Sequence, residues 1–169
     1  MDTHRVGPVT ERLLHRAFEV RDAGAFYALN SNLEVMRYTA EPLVESIDMA
    51  RQQIANYADF DDIGFGRWAC VLRGTEEVIG FCGLKYLSDL NAVDVGFRFL
   101  PQHWGRGFAT EACIASLEFG FEILKLRQII GLVLPGNQAS IRVLEKSAMR
   151  LEGPFSYDEL EVLKYVKDR

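Results

Sequence analysis

The chain has 169 residues, 49% of them hydrophobic and 25% charged, the balance of one globular domain that buries on the order of 70% of its unfolded surface. Its 24 acidic and 19 basic residues give a formal net charge of −5, with no basic run suited to a phosphate backbone, which argues against nucleic acid as the main ligand. Cys70, Cys82 and Cys113 form no CxxC pair, so neither a zinc site nor a secreted disulfide framework is expected, and a reducing cytoplasm fits. Met1-Asp2-Thr3-His4-Arg5 leads into no apolar segment, and no stretch approaches the roughly 20 apolar residues of a spanning helix. The protein is therefore expected to be neither exported by a cleaved signal nor embedded in a membrane.

Periodicity sets the elements in chain order. Alternation from Val9 to Phe18 predicts a first strand, after which Arg21-Asp22 opens a helix carrying Ala25, Phe26 and Leu29. Leu43, Ile47, Ala50, Ile54 and Tyr57 share one face of a second helix. The period then shortens to that of strands: Phe65 to Leu72, a turn at Arg73-Gly74-Thr75-Glu76, Val78 to Leu87, and Ala92 to Leu100, read as an antiparallel meander. A long helix from Gly107 to Leu124 turns Ala109, Cys113, Leu117, Phe121 and Leu124 inward. Ile129 to Leu134 is a short strand, Asn137 opens a helix to Ser147, and strands near Met149 to Gly153 and Leu160 to Val166 close the chain. No repeat or linker interrupts it, so residues 1–169 read as a single α/β domain of the α+β kind. About seven strands form a central, mostly antiparallel mixed sheet, flanked by about four helices.

The segment from Pro101 to Ala112 carries the most chemistry. Gly105 and Gly107 lie where a strand hands over to a helix, so the backbone can turn tightly and aim free N–H groups at one point, with the helix dipole behind them. The same glycines also suit a plain connecting turn, and by themselves they leave both readings open. A dinucleotide fingerprint needs Gly or Ala where Thr110 stands, and a Walker loop needs a lysine the segment lacks.

Gln102, Gly105 and Gly107 match the pyrophosphate loop of the GNAT N-acetyltransferase superfamily, which this segment resembles. The run Trp104-Gly105-Arg106-Gly107-Phe108-Ala109-Thr110-Glu111-Ala112 looks like the branch containing the ribosomal-protein alanine acetyltransferases RimJ and RimL. A second block, Asn137-Gln138-Ala139-Ser140-Ile141-Arg142-Val143-Leu144-Glu145-Lys146, is similar to the family's Asn-x-x-Ser-x-x-x-x-Glu-Lys helix. The likeness extends through Thr10-Glu11-Arg12-Leu13, Val78-Ile79-Gly80-Phe81, Asp94-Val95-Gly96-Phe97 and Leu151-Glu152-Gly153. One departure stands out: the family follows Glu-Lys with Leu-Gly-Phe, whereas this chain has Ser147-Ala148-Met149, which is expected to alter the turn into the following strand.

The resemblance implies a set of roles. The backbone from Val95 to Leu100, with Phe97 and Phe99 at its centre, would pair with the pantetheine arm of acetyl-CoA as an added strand does, and Gly96 would mark a bulge there. The amides from Gln102 through Ala109 and Thr110, around Trp104 and Phe108, would take the pyrophosphate, with Arg106 either at its rim or simply solvated. Asn137 would bond the pantetheine arm, although it equally suits a helix N-cap, and Ser140 would face the sulfur and return a proton to the departing thiolate. Tyr165 is the rival acid. Asp94, Glu159 and Glu161 are candidate bases acting through water on a primary amine, and an N–H near Phe97 to Phe99 would polarise the thioester carbonyl. No metal is implied by His4, His15 or His103. Cys82 reads as a small buried residue, and Trp104 and Phe108 as packing beneath the loop. Phe60-Asp61-Asp62-Ile63 reads as a polar connection beside the acceptor site.

The expected activity is transfer of acetyl from acetyl-CoA to a protein N-terminus or a small amine in a ternary complex; the alternative is an acyl-CoA-binding sensor without acceptor chemistry. The acidic balance mildly favours a basic partner by electrostatic steering. Ribosomal protein, antibiotic, polyamine and amino acid all stay open as acceptors, and a homodimer is compatible with the sequence.

Overall fold

The computed structural model describes residues 3–169. The sheet begins with a hairpin, β1 (Val6–Val9) against β2 (Leu13–Arg16), where alternation alone predicts one strand. The chain folds back at Thr10, whose N–H donates to the Leu13 carbonyl while its hydroxyl oxygen accepts from the Leu13 N–H; a side-chain-closed turn of this kind leaves no hydrophobicity signal.

After a 3-10 turn at Val20–Asp22 comes α1 (Ala23–Asn30). The single-turn helix α2 (Leu33–Met36) is capped by the Asn32 carboxamide, and α3 (Ile47–Ala55) by the Ser46 hydroxyl, which accepts from the Met49 N–H. That cap starts α3 later than the apolar spacing from Leu43 predicts. α4 (Asp59–Asp62) replaces the expected polar connection, and its one turn drives Phe60 into the interior at 1% exposure.

The meander is as read: β3 (Arg67–Leu72), β4 (Val78–Leu87) and β5 (Ala92–Phe99), each antiparallel to the last. Then follow α5 (Phe108–Glu122), β6 (Gln128–Val133), α6 (Gln138–Lys146), β7 (Arg150–Tyr157) and β8 (Leu160–Asp168). The eight strands form one sheet in the order β1-β2-β3-β4-β5-β6-β8-β7, and of its neighbouring pairs β5 and β6 run parallel.

Strand alternation gives the sheet two different faces. On one, Cys82, Leu84, Val95, Phe99, Ile129 and Tyr165 pack against Cys113, Leu117 and Phe121 of α5 and Leu144 of α6, forming the main core. The opposite face turns Arg67, Phe81 and Arg98 toward the helical segment between β2 and β3, whose smaller core is built on Ala23, Val44, Ala50 and Ile54.

α6 ends regularly despite the sequence departure. The Met149 N–H reaches the Leu144 carbonyl and the Ala148 N–H the Glu145 carbonyl, the paired bonds of a Schellman motif. Ala148 takes φ 59° to make them. The expected altered turn is therefore a regular one, made by an alanine in a conformation that suits glycine. No described helix is long and apolar enough to cross a membrane.

Candidate active site

β5 and β6 meet at a single bridge, Asp94 opposite Ile130, and the two strands then part. The Leu100 N–H donates to the Ile79 carbonyl, which fixes the phase of the β4–β5 ladder: Asp94, Gly96 and Arg98 direct their backbone groups to β4, and Val95, Phe97 and Phe99 direct theirs to the other side. Phe97 therefore presents its N–H and C=O to the gap. The Phe99 carbonyl is taken by the indole N–H of Trp104 at 2.6 Å, so Trp104, though 47% exposed, fixes the strand end to the loop.

The gap opens toward the start of α5. Gly105 and Gly107 adopt φ 71° and 80°, and Gly107 is the N-cap of a helix that no side chain caps. The Glu111 N–H makes the first intrahelical bond, to the Gly107 carbonyl, which leaves the N–H groups of the preceding turn directed outward. Gln102, Arg106 and both glycines are exposed, Ala109 and Thr110 half-buried, and Phe108 is 2% exposed in the core, as its packing role requires. His103 is buried against Phe108, with its Nε2 3.2 Å from Glu77.

A clamp that sequence reading missed supports this loop. Glu111 accepts from the Thr10 hydroxyl at 2.7 Å, the Arg12 N–H at 2.9 Å and Arg12 Nε at 2.6 Å. Arg12 also donates from Nη1 to the Arg106 carbonyl and lies over the Phe108 ring at 4.1 Å. Burial would raise the Glu111 carboxyl, but the hydrogen bonds from Thr10 and Arg12 outweigh it and hold the group below the ordinary carboxylate value. Thr10, Arg12 and Glu111 all stand in the matched blocks, yet no spacing rule links residues 10 and 111.

Across the gap, β6 runs into α6. Parallel strands place the end of β6 at the same end of the sheet as the end of β5, so Asn137 and Ser140 come to the mouth of the gap. Asn137 is the N-cap of α6, its carbonyl oxygen accepting from the Ser140 N–H at 3.2 Å. Ser140 is half-buried one turn along. Tyr165, 2% exposed, faces the main core, and its hydroxyl donates to Glu145 at 3.2 Å, about 7.5 Å along α6 from Ser140 at 1.5 Å per residue. Burial, with Glu145 beside it, raises the Tyr165 hydroxyl above its ordinary value. Glu161 is exposed on β8 and Glu159 sits in the β7–β8 turn at φ 63°. Buried Asp94 is paired with Arg67 at 3.0 Å.

Arg67 and Arg98 were not singled out in sequence, yet they dominate the other side of β5. Arg67 lies over Gly96: a Cβ there would come within 2.5 Å of Arg67 Nη2. The expected bulge at Gly96 is absent, since Gly83 and Gly96 pair in register; the glycine makes room for a guanidinium. Arg98 donates to Asn30 at 2.9 Å and pairs with Glu41 at 2.8 Å. Both guanidiniums flank the Phe81 ring, at 5.7 and 5.2 Å. Together they floor a cavity of about 370 Å³ walled by α1, α3 and the segments that join them to the sheet. All three cysteines are buried, and burial pushes the Cys113 thiol up to about 11 and raises Cys70 and Cys82 further.

The acetyltransferase (GNAT) domain family matches residues 12–150. An uncharacterized N-acetyltransferase of Bacillus subtilis, YoaA, is 36% identical over 146 residues, covering 85% of this chain and 82% of that protein. A GNAT-family acetyltransferase from Bacillus anthracis superimposes with a TM-score of 0.77 at 30% identity over 94% of each chain. The fold is also that of a Vibrio cholerae spermidine N-acetyltransferase solved with CoA and spermine (TM-score 0.78, 23% identity, 94% of this chain and 96% of that one).

Proposed function

Since the chain belongs to the GNAT family of acetyl-CoA-dependent acetyltransferases, we propose that it passes the acetyl group directly to a primary amine, with donor and acceptor bound together and no acetylated protein between them. The observation that carries this reading is the parting of β5 from β6 beyond Asp94. An unpaired strand peptide at Phe97 suits an amide-bearing pantetheine arm, and the uncapped start of α5 suits a pyrophosphate.

When bound, acetyl-CoA supplies an activated thioester; the protein's own residues orient it and manage protons. We assign the Phe97 N–H to polarising the carbonyl and the Ser140 hydroxyl to protonating the departing sulfur. Tyr165 is the weaker choice, because its hydroxyl is committed to Glu145 and holds its proton more tightly than a free phenol. The carboxylates nearest the cavity are tied to arginines, Asp94 to Arg67 and Glu41 to Arg98. An α-amine, with a reference pKa near 8, is already partly free at neutral pH and needs little base strength. Water can take its proton, with Glu161 or Glu159 as relay. The finer placement beside RimJ and RimL rests on the Trp104 to Ala112 run.

Initial velocities with both substrates varied test the proposal. Intersecting lines are expected; parallel lines with a trapped acetyl-protein contradict it. Ser140→Ala is expected to lower kcat about 100-fold, and Tyr165→Phe to leave it near wild type.

A further inference from the structure

The cavity on the far side of β5 runs against the charge of the chain. The protein carries a net −5, yet the cavity is lined by Arg5, Arg67, Lys85 and Arg98 and by one carboxylate, Glu41. Arg5 is paired with Asp61 on its rim, Arg67 with Asp94 and Arg98 with Glu41; Lys85 has no ion-pair partner among the described residues. The lining as a whole therefore keeps one positive charge in excess, that of the exposed Lys85. It also keeps an unmet donor, because the buried Nε of Arg67 has no hydrogen-bond partner. A buried N–H is normally satisfied, so this orphan, packed over Gly96, leaves the Arg67 guanidinium with fewer partners than its charge calls for. Gly96 reserves the space in which that guanidinium sits, on the same strand whose other edge faces the gap. The walls are apolar, with Phe18, Phe26, Met36 and Phe60 among them, and about 370 Å³ is near the lower end of the range for small-molecule sites.

Taking the acetyltransferase reading above as its basis, we infer that this cavity holds the acceptor, and that the acceptor is a small amine bearing a carboxylate and an apolar or aromatic body, an amino acid in chemical class. The carboxylate is received by Arg67 and Arg98, the body lies against Phe26 and Phe60, and the amine is directed toward the β5 edge. A polyamine is disfavoured, because its ammonium groups would meet the guanidiniums and its length would leave the apolar walls unused.

The test measures CoA-thiol release with acceptors matched in body and differing in the carboxylate: phenylalanine against phenethylamine, methionine against 3-(methylthio)propylamine, with spermidine alongside. A hydrogen-bonded charge is worth about 1.5–3 kcal/mol, so kcat/KM for the amino acid is expected to exceed that of its decarboxylated partner by about 10- to 100-fold. Arg98→Gln should raise KM for the amino acid about 10-fold more than KM for its decarboxylated partner, while Glu41→Gln, which releases Arg98, should lower KM for the amino acid. Those opposite shifts separate recognition from a general loss of structure. Equal or better turnover of the decarboxylated amines or of spermidine overturns the inference and leaves the acetyltransferase reading standing. Release of thiol to none of these amines overturns the inference, and it counts against the acetyltransferase reading as well where N-terminal peptides also draw no thiol.

Discussion

Ala148 offers a direct test of how the end of α6 is built. It holds φ 59° to close the Schellman bonds from Met149 to Leu144 and from Ala148 to Glu145. For an L-residue with a Cβ that conformation costs about 1–2 kcal/mol. Ala148→Gly removes the cost but gives the unfolded chain more freedom, worth about 0.4–1 kcal/mol. The side chain is exposed, so little packing is lost with the methyl group, and the net gain is about 0.5–1 kcal/mol. For a chain of this length each kcal/mol moves Tm by about 2–4 °C, so thermal unfolding should shift upward by about 1–4 °C. Ala148→Val, β-branched in the same conformation, should shift it downward. An unchanged or lower Tm for the glycine variant would refute the claim that the alanine is strained.

Three further outcomes follow from the site. Glu111→Ala removes the acceptor shared by Thr10 and Arg12 and should cost about 1–2 kcal/mol, discounted for the half-exposed Arg12; Tm should fall and KM for acetyl-CoA rise as the loop loosens. Gly107→Ala meets no neighbour closer than Arg12 Nη2 at 3.5 Å, so its cost is backbone strain of about 1–2 kcal/mol, and calorimetry should show weakened CoA binding in a protein that still folds. His15 is buried, and desolvation, only partly offset by its bond to the Pro8 carbonyl, lowers its pKa below the ordinary 6.5. The unfolded chain is therefore protonated first, so stability is full above pH 6.5 and declines as pH falls below it. His15→Leu should be less stable at pH 7, yet its Tm should fall less steeply below pH 6.5.

Much of this was legible in the sequence wherever the signal was local. The meander from Phe65 to Leu100 announced itself by alternation and by the Arg73-Gly74-Thr75-Glu76 turn, and the inward face of α5 by its spacing. The hairpin at Thr10 was hidden because a side-chain-closed turn interrupts no hydrophobic pattern, which is why the sheet has eight strands and not seven. α2 and α4 are single turns, too short for a period to show. At the site, the glycines at 105 and 107 pointed to the loop, but the clamp under it joins residues a hundred positions apart. Arg67 and Arg98 left one faint trace: Asp94, Gly96 and Arg98 put polar or small residues on one face of a central strand whose other face is Val95, Phe97 and Phe99. The whole-chain charge pointed toward a basic partner, whereas the cavity's local charge points the other way, since recognition is set by the few groups that line a site.

The central claim is that the gap between β5 and β6 receives acetyl-CoA for transfer to an amine. Calorimetric titration of the purified protein with acetyl-CoA, followed by thiol release across amines and N-terminal peptides, tests it most directly. The account predicts one molecule bound per chain and thiol released with an amine present. Absence of binding, or binding with no thiol released to any amine, would contradict it.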